Sequence, residues 1–176
     1  MLKSRLLKWE VFGFFFISIL GSVHHYTYTT LLWRPLALIA PVNESTWEHF
    51  KLVFWPALLF AFIEWLALRK TVNNFIVAKT AEVYLMPLVI GVFFYTYKAF
   101  LPMSLAGNLS SFFLAVGLGQ WLSYRLLSAP PLAPAWSRAA LVAFGVLLIA
   151  FLSFTFFAPH IFLFADPHTG GYGFLP

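Results

Sequence analysis

The stretch Thr46–Leu68, TWEHFKLVFWPALLFAFIEWLAL, decides what kind of protein this is. Its ionisable residues sit in the first turns, at Glu48, His49 and Lys51, and near the far end, at Glu64, before Arg69-Lys70 closes the run. Everything between is apolar or aromatic apart from Pro56, and the run is as long as the roughly 20 residues that cross a hydrocarbon core. Just upstream, Ser45 and Glu48 have the S-x-x-E spacing with which a serine hydroxyl and a glutamate carboxylate satisfy the free backbone donors of a helix start. A membrane-spanning helix is therefore expected from Thr46 to Leu68.

The rest of the chain repeats that composition. Of 176 residues, 61% are hydrophobic and 10% charged, against roughly 25% charged in an ordinary soluble domain, so the solvent for most of the surface has to be lipid. Further spans are expected over residues 11–29, 75–97, 105–127 and 139–157, which makes an all-α bundle of five spans in a single integral membrane domain, with a tail over residues 158–176. Lys3, Arg5 and Lys8 before an apolar run resemble the start of a signal peptide, but no A-x-A-like cleavage site follows, and the first span is read as retained. Leu31–Val42, interrupted by Arg34, Pro35 and Pro41, is too short to cross and reads as an interfacial or re-entrant connection. Pro130, Pro131 and Pro134 mark a loop, and Asp166-Pro167-His168-Thr169-Gly170-Gly171 is turn chemistry.

With the amino terminus in the cytoplasm, Lys3, Arg5, Lys8, Arg69, Lys70, Lys79, Arg125 and Arg138 lie inside, and only Arg34, Lys51 and Lys98 lie outside. The bias predicts amino terminus in and carboxy terminus out, in the cell membrane. The formal charge of +5 comes from residues scattered singly or in pairs, which suits headgroup contacts and not a nucleic-acid surface. The chain has no cysteine, which excludes disulfides, thiolate metal sites and cysteine nucleophiles.

That topology sends all five histidines, with Glu44, Glu48 and Asp166, to the outer side. Ionisable groups near hydrocarbon are expensive unless paired or hydrated, so their convergence is a candidate site. Imidazole and carboxylate can hold a divalent metal, with His25, Glu48 and His49 as candidate ligands, or act as acid and base. The spacing matches no H-E-x-x-H pattern, and helix capping accounts for Glu44 and Glu48 equally well. An inner set, Glu64, Glu82, Gln120 and Arg125, suits an ion pair locking helices together; a proton or substrate path is the alternative. Gly107, Ser111, Ala115, Gly119 and Ser123 recur every fourth residue and form a small-residue stripe that lets another helix, or a second copy of the chain, approach closely. Pro56 and Pro87 fall inside spans, where each frees a backbone carbonyl.

Pro41-Val42-Asn43-Glu44-Ser45-Thr46-Trp47-Glu48-His49-Phe50-Lys51 resembles the PVNES-x-WEH-x-K pattern of a family of small bacterial membrane proteins known only as a domain of unknown function. Phe154-Thr155-Phe156 and Leu163–Gly173 are similar to its FTF and LF-x-DP-x-TG-x-YG elements, and His25-Tyr26-Thr27-Tyr28 to its H-F-x-Y element. These elements follow the family's order over nearly the full chain. The resemblance implies a multi-span fold and a set of motif positions, His25, Asn43, Glu44, Ser45, Glu48, His49 and Asp166, with no reaction attached. Three functions stay open: an outer-face site that binds or processes a lipid headgroup or small polar ligand, a small oligomeric transporter or channel, and a structural or accessory membrane protein.

Overall fold

The structure is a computed structural model that describes residues 2–102 and 104–174, so the last two residues of the expected tail lie outside the described residues. Its elements are α1 (Leu2–His24), α2 (Thr27–Leu31), a 3-10 turn (Arg34–Leu38), α3 (Thr46–Leu68), α4 (Phe75–Phe100), α5 (Leu105–Leu127) and α6 (Pro134–Ser153). Five helices among the described residues are long and apolar enough to cross a membrane, the first of these spans continuing through α2. The protein is thus an all-α, multi-pass membrane bundle.

Some bounds differ from the sequence expectation for local reasons. α1 starts at Leu2 instead of Val11, because nothing in Lys3–Glu10 opposes a helix, and it carries Glu10 into the protein interior. The connection over residues 31–42 folds as the 3-10 turn around Pro35. α6 starts at Pro134, where a missing N–H costs nothing, and stops at Ser153, short of Phe157. Beyond it the Thr155 carbonyl is taken by Phe174 N–H at 2.6 Å instead of by a further helical turn.

The helices run up and down. α1 packs on α3 and α5, and α4 packs on α3 and α5, which closes a four-helix ring; α6 lies outside it against α4. Of its residues only Phe151 is fully buried, so this helix packs by one face and turns the rest of its circumference to lipid. Burial of apolar surface gives little drive inside a bilayer, and packing with interhelical hydrogen bonds takes its place. The aromatic core follows that rule: Phe151 stacks on Phe54 at 4.3 Å and on Trp47 at 4.8 Å, tying α6 to α3.

The small-residue stripe is used inside the chain. Ser111, Ala115, Gly119 and Ser123 are buried, and an added Cβ would meet Met86 at Gly119 and Tyr97 at Gly107, both on α4. Of the two partners expected for the stripe, a neighbouring helix or a second copy, the one seen within the chain is α4. At the end of the bundle that holds the amino terminus, Asn74 ties two loops together. It donates to Leu126 and Pro130 carbonyls at 3.1 and 2.9 Å and accepts from Leu132 N–H at 2.8 Å.

Candidate functional site

At the opposite end, the segment before α3 is clasped by the tail. Ser45 Oγ caps α3 by accepting from Glu48 N–H at 3.3 Å. The Glu48 carboxylate does not return to Ser45, whose N–H goes to Asn43 Oδ1 at 2.9 Å. Glu48 instead accepts from Val42 N–H at 3.1 Å and turns into the core. There Lys51 Nζ stands 2.7 Å from Glu48 Oε2, and Thr155 Oγ1 donates to Glu48 Oε1 at 3.0 Å. Lys51 also donates to the Ala37 carbonyl at 2.7 Å and is fully buried. Asn43 reaches the tail through Gly173 O at 2.8 Å, and Trp47 N–H reaches Leu163 O at 3.0 Å.

Asp166 shapes the tail itself, accepting His168 N–H on its side chain and Gly170 N–H on its carbonyl, each at 2.8 Å. Gly173 has φ +63° with the Thr155 carbonyl against the place of its missing Cβ, so only glycine fits. Asn43, Ser45, Glu48 and Asp166, four of the expected site residues, therefore build the clasp.

The remaining three converge. His49 Nε2 lies 3.3 Å from Glu44 Oε2 and 3.3 Å from His25 Nε2, and His25 Nε2 lies 3.9 Å from the same Glu44 oxygen. His49 Nδ1 is 2.9 Å from the Ser45 carbonyl. A carbonyl can only accept, so Nδ1 carries a proton and Nε2 is the atom turned toward the triad. Of the five histidines, His24 is tied to the Ile39 carbonyl at 2.7 Å and His160 stacks on Tyr172, so neither joins. Glu44 lies in the connection between spans. The hydrogen bond from His49 holds its carboxyl below the ordinary carboxylate value; partial burial opposes this, and the charges of His49 and His25 reinforce it.

The triad lines part of a cavity of about 370 Å³. His168 and Asn108 add polar groups to its lining, and Leu52, Ile90, Phe94, Leu109 and Phe112 add apolar ones. Among candidate metal ligands, Glu48 is turned away into the clasp, and the carboxylate that meets the two imidazoles is Glu44.

At the amino-terminal end, three carboxylates surround one ammonium. Lys79 Nζ lies 2.6 Å from Glu64, 2.9 Å from Glu82 and 3.5 Å from Glu10. Gln120 donates to Glu82 at 2.5 Å, and Ser123 to Glu10 at 2.7 Å. All of these side chains are buried. Glu64, Glu82 and Gln120 thus meet as a group, but Arg125 does not join them: it is exposed and lies over Trp121 at 5.5 Å.

Lys51, Lys79 and Glu10 lie outside the set of expected site residues; the two lysines, inside the expected spans, enter the sequence reading only as orientation charges. A signal was present, since Glu48–Lys51 and Lys79–Glu82 have the i,i+3 spacing that brings charges together on one helix face. Thr155 carried no signal of its own beyond its place in the FTF element.

No curated protein and no solved structure matches this chain. Residues 2–174 match the family of unknown function DUF6512, and over nearly its whole length the chain belongs to that family.

Proposed function

We propose that the cavity beside His25, Glu44 and His49 is the working site of this protein and that it holds an amphiphile, a lipid or lipid-like molecule with a polar head. The observation that carries this reading is the continuity of two surfaces. Three histidines and a carboxylate line the same cavity as leucine, isoleucine and phenylalanine side chains. A ligand with one polar end and one apolar end satisfies both, whereas a small polar solute leaves the apolar walls unused. The excess of exposed lysine and arginine at the amino-terminal end supports a cytoplasmic amino terminus, and with that orientation this site faces outward in the cell membrane.

The test is lipid analysis of the detergent-purified protein. About one amphiphile per chain should survive exhaustive washing of the wild type and be lost from Leu109→Trp, which fills the apolar slot from a partly exposed helix position. Equal lipid in both proteins, each still folded, would remove this reading. The transporter alternative has less to stand on, because Glu64 and Glu82 are engaged with Lys79.

A further inference from the structure

We infer that His25, Glu44 and His49 form a binding site for a divalent metal of zinc's preferences, with a fourth coordination position open to the cavity.

The spacing of the ligand atoms is the first support. Zinc at roughly 2.0–2.1 Å from nitrogen and oxygen ligands in tetrahedral geometry separates those ligands by roughly 3.3–3.4 Å. Two edges of the triad measure 3.3 Å and the third 3.9 Å. The third edge involves Glu44, whose side chain is 46% exposed and free to adjust.

Protons give the second. With Nδ1 of His49 donating to the Ser45 carbonyl, a proton on Nε2 makes an imidazolium whose one N–H is shared between Glu44 and His25. A divalent ion instead gives all three atoms a full partner. The bond from the far nitrogen to a backbone carbonyl is also the usual means of orienting a metal-binding imidazole. No cation competes from the neighbouring turn, because Lys51 is committed to Glu48 and Thr155.

The donor set supplies the third. Two imidazoles, one carboxylate and an open position make up the ligand set of catalytic zinc, while structural zinc sites are closed by four protein ligands. An anionic oxygen entering from the cavity, a phosphate or a carboxylate, would complete the coordination. The three ligands come from the end of α1, the clasped connection and the first turn of α3, and the site takes its place from these atoms alone. It therefore stands or falls separately from the amphiphile reading.

The experiment measures metal on the full-length protein in detergent, stripped by chelation and re-equilibrated with zinc or with cobalt(II). The expected result is one zinc per chain and a cobalt spectrum of tetrahedral intensity that shifts when inorganic phosphate is added. Both signals should be lost in His49→Ala and in Glu44→Gln. The glutamine variant preserves size at a half-exposed position, so it remains informative if a histidine variant fails to fold. Folded wild type that retains no metal above the chelated background would overturn the inference. So would Glu44→Gln and His25→Ala holding as much metal as wild type. Lipid content read from the same samples separates the two readings: zinc without lipid removes only the amphiphile, and lipid without zinc removes only the metal.

Discussion

Lys51 Nζ and Thr155 Oγ1 lie 2.5 Å apart although 104 residues separate them in the chain, and Glu48 contacts both. A buried ion pair that loses one member leaves an uncompensated charge, at a cost of about 3–5 kcal/mol. Lys51→Met and Glu48→Gln should each lower the thermal midpoint in detergent sharply, and the double variant should lose less than the two singles combined. Additive losses in that cycle would mean that the two side chains do not act as a pair.

At the other end, three carboxylates share one ammonium, and the direction of the charge imbalance sets the outcome. Lys79→Met should cost about 3–5 kcal/mol or abolish folded protein. Glu10→Gln, which relieves the excess and can still accept from Ser123, should leave stability within about 1 kcal/mol of wild type. Thermal unfolding of both variants is the measurement, and a Glu10→Gln protein as unstable as Lys79→Met would contradict the charge argument.

Three glycines should form a graded series. An added Cβ at Gly21 meets the Leu52 backbone carbonyl and the Phe112 ring, and backbone cannot move aside, so Gly21→Ala should cost about 1–3 kcal/mol. At Gly119 the neighbour is the flexible Met86 side chain, and the cost should be smaller. At Gly145 nothing lies within 4 Å, and alanine should stabilise α6 by about 0.5–1 kcal/mol through backbone entropy. Unfolding midpoints that do not follow this order would show that these close approaches are not what holds the helices.

Orientation is open to chemical labelling, because the chain has no cysteine and any introduced thiol is the only one. Lys51 and Lys79 are buried partners of carboxylates, so the basic-residue count becomes seven against two with its bias intact. In intact cells, a cysteine at Lys98 should react with a membrane-impermeant maleimide, and one at Lys70 should react only after permeabilisation. The reverse pattern would turn the protein over and put the cavity in the cytoplasm.

The spans were legible because hydropathy reports on the solvent, and Thr46–Leu68 contains little else. Ser45 was legible as a cap because the hydroxyl acts locally. Glu48 was only half legible: its position at a helix start explained why a carboxylate stands there, but its real partners, Lys51 and Thr155, depend on how the tail returns. The triad shows the same limit. His25 and His49 are 24 residues apart, and no local pattern says that Glu44, instead of Glu48, turns toward them. The stripe on α5 was legible as a packing face, but which helix would fill it was set by the turn between α4 and α5.

The clasp also has a consequence for how the protein is made. Translation delivers Glu48 and Lys51 long before Thr155, so during synthesis the second span enters the membrane with its charged pair missing a partner. The tail that closes over it follows every span in the chain. Maturation of the outer end therefore waits until that tail has emerged, and a transcript truncated before Thr155 yields a polypeptide with all its earlier helices and no finished cavity.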